Sequence, residues 1–226
     1  MIQSASDAAR PSPHPARWWL LGPGLALAAA IISGVVWMIT GGHVWAEDGL
    51  IEYAQLGLWG VCVLVAGAVA LTTPGRARAA AAWRGVLGAV AGARELDLHI
   101  KLNPETLGEW GVRYRLDWWT DMSVPLGVKS MWLAIGLAIG IALVLPIYLA
   151  RQDPIRLLKA RHPASVLFAI AIGGLAMGWA MDDLFRGWFA EEPAQALEEL
   201  CELAGVGFYL GSVIACRRIP PEGIAP

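Results

Sequence analysis

The chain has 226 residues, 57% of them hydrophobic and only 16% charged, and its mean hydropathy of +0.53 is far above that of an ordinary soluble domain. A net charge of −2 supplies no basic field for nucleic acid. Cys62, Cys201 and Cys216 all lie in or at the end of apolar runs, with neither a disulfide framework nor zinc-finger spacing.

The composition predicts an all-α, polytopic integral membrane helix bundle forming a single transmembrane domain over residues 18–218. A hydrocarbon core of roughly 30 Å takes about 20 apolar residues at 1.5 Å each. On that measure about six spans are expected, near 18–40, 48–72, 79–99, 128–150, 163–185 and 196–216. Residues 1–17, with Arg10, Arg17 and three prolines, read as a disordered cytoplasmic leader. A signal peptide fits less well, because the apolar run that follows is too long and no small-x-small cleavage site precedes Glu47.

Gly22-Pro23-Gly24 predicts a kink or a late start for the first helix, and Gly41-Gly42 ends it. The second starts near Asp48, where its acids suit the positive end of the helix dipole, and stops at Pro74-Gly75. The third is the least apolar. It contains Arg84, which is expected to snorkel toward Arg76 and Arg78 so that the helix can run on through Glu95 and His99. Residues 102–127 mix Trp110, Tyr114, Trp118 and Trp119 with charged residues, as expected of an outer amphipathic loop in the headgroup layer. A strongly apolar fourth span, a basic loop with Arg151, Arg156, Lys159 and Arg161, two further spans and a tail at 219–226 complete the chain.

Six spans with both termini cytoplasmic, N-in and C-in, put Arg10, Arg17, Arg76, Arg78, Arg84, Arg151, Arg156, Lys159, Arg161, Arg217 and Arg218 inside. All acids but Asp7, Asp153 and Glu222 then fall on the opposite face. With the short basic loops, this bias predicts a bacterial inner membrane.

Asp48/Glu52, Glu95/His99 and Glu198/Glu202 are each four residues apart, so each pair shares a helix face. With Asp182 and Asp183 they place carboxylates at the outer ends of four spans. A carboxylate in the apolar layer has to be hydrated, paired, protonated or bound to a cation. The expected divalent-cation set is Asp48, Glu52, Glu95, His99, Asp183, Glu198 and Glu202. Glu95, Asp97 and Glu202 are the candidates for acid–base work, with Arg94 and Arg186 as holders of an anionic group. The usual di-metal pattern spaces Glu and His three apart; here the spacing is four, and only one such pair exists.

Three functions follow from this pattern: a cation-dependent enzyme acting on a lipid or lipid-linked substrate, a non-catalytic membrane subunit whose acids pair with Arg94 and Arg186, and a small ion or proton carrier. Expected partners are membrane lipids and another membrane subunit, either a second copy or a different protein. No nucleophile motif surrounds Ser123 or Ser130.

Overall fold

A computed structural model describes residues 18–40, 49–96, 119–149, 153–183 and 191–220. The leader, most of the Trp-rich loop and most of the C-terminal tail lie outside them. The described residues form α1 (Leu21–Thr40), α2 (Leu50–Thr72), α3 (Gly75–Glu95), α4 (Leu126–Leu149), α5 (Asp153–Lys159), α6 (Pro163–Asp183) and α7 (Glu191–Ala215), with no strand among them. Stretches in four helices, Leu50–Thr72, Leu126–Leu145, Pro163–Met181 and Ala194–Arg218, are long and apolar enough to cross a membrane. The other two expected spans fall short of that measure. In α1 the apolar stretch is Leu21–Val36, and α3 carries Arg76, Arg78, Arg84 and Arg94 among alanines and glycines.

The most buried helix is α7. Its apolar stretch is 61% buried, against 28% for α2 and α6 and none for α4, which lies at the periphery. It packs most extensively against α6, and also against α1 and α2. Burial hardly drives association between helices in lipid, so close packing needs side chains small enough for backbones to meet. α7 supplies Gly205, Gly207 and Gly211. Gly22 of α1 lies against Gly207 and Gly211, while Gly174 and Gly178 of α6 lie against Cys201, Gly205 and the Glu198 carbonyl.

α2 and α3 form a hairpin. The buried residues of α2, namely Ile51, Gln55, Trp59, Cys62, Ala66 and Val69, recur every three or four positions and define one face. Gly85, Gly88 and Gly92 of α3 sit over Ala66, Cys62 and Trp59 on the neighbouring helix. At the turn, Gly75 has φ 58°, a left-handed conformation that glycine adopts without steric cost. Arg78 donates from Nε to the carbonyls of Ala70 and Thr73, satisfying acceptors that the end of α2 leaves open.

The expectation that Arg84 snorkels is overturned. Its side chain turns inward and is only 5% exposed. Nε donates to Ser212 Oγ at 3.2 Å, one terminal nitrogen to the Ala80 carbonyl at 3.2 Å and the other to the Ala164 carbonyl at 3.1 Å, with the guanidinium carbon 4.9 Å from the Phe168 ring centre. The physical reason is that α3 packs its Ala77, Ala81, Arg84, Gly88 stripe toward the core, so the arginine finds carbonyls, a hydroxyl and an aromatic face before it can reach water. Tyr209 adds a hydrogen bond to the Arg84 carbonyl at 2.6 Å.

α5 and α6 meet in a compact junction. His162 N–H bonds to the Leu157 carbonyl and Arg161 N–H to that of Leu158, the paired bonds of a Schellman ending. Arg161 occupies the left-handed position of that motif with φ 51°, where glycine is usual. His162 then caps α6: its Nδ1 accepts from Ala164 N–H at 3.2 Å, which leaves Nε2 to donate to the Arg218 carbonyl at 3.2 Å. Burial pushes the His162 pKa below its usual 6.5, and the charges of Arg84 and Arg218 act in the same direction against the hydrogen bond to Arg218. Before α4, Asp121 accepts from Ser123 N–H at 2.8 Å, and this bond, with that of the Ser123 hydroxyl, holds its carboxyl below the usual range.

A carboxylate cluster at one end of the bundle

Charged residues separate along the helices. The turn between α2 and α3, the α5–α6 junction and the end of α7 lie together at a basic end, packed around Val69, Ala77, Leu157, Ala164 and Cys216. At the opposite end stand Glu52 in the first turn of α2, Glu95 closing α3, and Glu198, Glu199 and Glu202 about two to three turns into α7. All five glutamates come together there. Glu52, Glu95, Glu198 and Glu202 all lie within electrostatic reach of the Glu199 carboxylate.

The helix faces explain why Glu199 lies at the centre. Spacing marks Glu198 and Glu202 as a pair on one face, but the face of α7 that meets α2 includes Glu199. There Gln55, fully buried at 1% exposure, donates from Nε2 to the Glu199 carboxylate at 2.8 Å and to the Glu199 carbonyl at 3.1 Å. Such a donor fixes the orientation of the carboxylate it serves. Glu202 is positioned by a gap: a Cβ on Gly178 would sit 2.5 Å from Glu202 Cγ, so glycine there leaves space for the side chain. Below the glutamates the core closes with Trp59 edge-on to Tyr209 at 5.1 Å, and Tyr209 5.8 Å from Phe168. Arg84 lies beyond this aromatic layer. Its partner Ser212 is thirteen positions along α7 from Glu199, about 20 Å at 1.5 Å per residue. At that distance it does little to neutralise the cluster.

Of the residues expected from sequence, Glu52, Glu95, Glu198 and Glu202 are thus brought together. Arg94 is exposed in the last turn of α3. Asp48, Asp97, His99 and Arg186 lie outside the described residues, as does the side chain of Asp183. Among the described residues, no three His, Cys, Asp or Glu side chains are arranged to hold a metal ion. Sequence reasoning missed Gln55, Gly178 and the central place of Glu199. The available signal was a glutamine near the start of the apolar face of α2, a polar group that has to find a partner where no water reaches. Comparison of the chain with protein families, curated proteins and solved structures finds no match.

Proposed function

We propose that the glutamate cluster is the working site of a multi-pass membrane protein, and that it exchanges protons for a divalent cation, drawing together on an ion that the described side chains as they stand are not arranged to hold, while acting on a lipid or lipid-linked substrate. The observation that carries the reading is the gathering of four carboxylates from three helices around a fifth, Glu199, itself oriented by buried Gln55. Like charges drawn together at the edge of an apolar bundle repel, and a shared proton or a bound cation relieves them. In this reading Glu199 and Glu202 take and return protons, Glu95 and Glu52 complete the negative site, and Arg94 at the same end receives an anionic headgroup. Asp48, Asp97, His99, Asp183 and Arg186 are the further groups that sequence position assigns to the same end. Its orientation is outward, in a bacterial inner membrane, as the basic-residue bias sets it.

A second reading, a non-catalytic subunit whose acids fasten helices, is favoured by the Gln55–Glu199 bridge, which ties α2 to α7 whatever the cluster binds. Melting of the purified protein, followed against pH and against Mg²⁺, Ca²⁺ and Mn²⁺, separates the two. Glu199→Gln and Glu202→Gln are expected to stay folded and to lose the cation-dependent rise in melting temperature. Glu202→Gln should also melt higher, by roughly 2–4 °C if the repulsion removed is about 1 kcal/mol. Glu192→Gln, in the turn before the cluster, is expected to behave as wild type. Loss of folding in both cluster variants, with no cation response in the wild type, assigns the glutamates to helix fastening instead.

A further inference from the structure

At the basic end, remote from the glutamates, Trp19, Leu158, Arg161, Pro163, Val166 and Leu167 line an open recess of about 570 Å³. Its walls are apolar, and among the described residues Arg161 is its one charged group. Two observations set this arginine apart. It holds a left-handed backbone conformation that glycine takes freely and other residues only at a cost. Its guanidinium has no hydrogen bond or ion pair among the described residues, and it is exposed, as are Lys159 and Arg217 at the same end of the bundle. Strain retained at a site asks for a reason, and no hydrogen bond or ion pair of the Arg161 side chain among the described residues supplies one. The recess is also continuous with a surface suited to lipid: one turn beyond Val166 on the same face of α6 is Ile170, exposed and apolar.

We propose that this recess binds one anionic phospholipid, with an acyl chain against Trp19, Leu158, Val166 and Leu167 and the phosphate on Arg161. Charge complementarity selects an anionic headgroup over a zwitterionic one, since the end of the bundle around the recess presents exposed cations. Tryptophan in the lining suits the boundary between chain and headgroup.

The test uses the full chain in detergent, with phosphatidylglycerol, phosphatidylcholine of the same chains, and inorganic phosphate as probes. Melting temperature and native mass spectrometry are the readouts. Phosphatidylglycerol is expected to bind and stabilise with an affinity about tenfold or more above that of phosphatidylcholine, the worth of a charged hydrogen bond, while phosphate alone does nothing. Arg161→Gly and Arg161→Asn, both suited to the left-handed position, should match or exceed the lipid-free stability of wild type and lose that preference. Leu158→Trp, which keeps the charge and fills the recess from an exposed position, should lose binding of both lipids. Variants at Arg161 that retain the preference overturn the proposal, as does equal binding of phosphatidylcholine, an equal effect of phosphate alone, or a lipid-free Arg161→Gly protein less stable than wild type.

Discussion

Among the described residues Arg84 and Gln55 are the largest of the buried polar side chains, ahead of Ser165 and Ser212, and their surroundings differ in kind. Arg84 gives up hydration for neutral acceptors, two helix carbonyls and Ser212, with Phe168 against its face. Desolvating a cation costs several kcal/mol, and neutral partners return only part of it. Arg84→Met, which keeps the length and apolar bulk of the stem, is therefore expected to melt no lower than wild type, whereas Arg84→Glu should not fold. A loss above about 2 kcal/mol for Arg84→Met in a thermal melt would show that the guanidinium bonds outweigh desolvation. Gln55 faces the Glu199 carboxyl group, so its bond is placed where chemistry can use it. The sequence showed both residues in apolar runs but not which way they point. Snorkelling was the reasonable expectation for an arginine near the basic end, and what defeated it was the partners waiting on α6 and α7, which no local pattern reveals.

Between helices, contact depends on what is missing. Gly207 has the Gly22 carbonyl and Ala26 Cβ so close that a methyl group there cannot be accommodated without moving α1, whereas Gly24 has nothing within 4 Å of the place a Cβ would take. Gly207→Ala is expected to destabilise by about 1–3 kcal/mol through overpacking. Gly24→Ala should be neutral or gain up to about 1 kcal/mol of helix propensity. Melting the pair side by side checks this, and equal behaviour would mean that α1 does not rest on α7 as described. Helix ends were legible because Pro and Gly mark them chemically: Pro74-Gly75 does separate α2 from α3, and Pro163 opens α6. Helix faces were not. In lipid both sides of a span are apolar, so period alone cannot say that Gly178 faces Glu202, or that Glu199 rather than Glu198 meets α2.

As a whole the molecule is polar along its length, with carboxylates gathered at one end, cations at the other, and an aromatic layer around Tyr209 between them. That division was readable from sequence, because it follows from where charges fall relative to apolar runs. The meeting of α2, α3 and α7 at the acidic end was only an expectation until their faces were known. The central claim is that the cluster exchanges protons for a cation, and proton release measures it directly. Adding Mn²⁺ to the detergent-purified wild-type protein in weak buffer is expected to release about one proton per chain. Glu199→Gln, still folded, should release none. Cation binding with no proton release from the wild type, or the same release from Glu199→Gln, would contradict it.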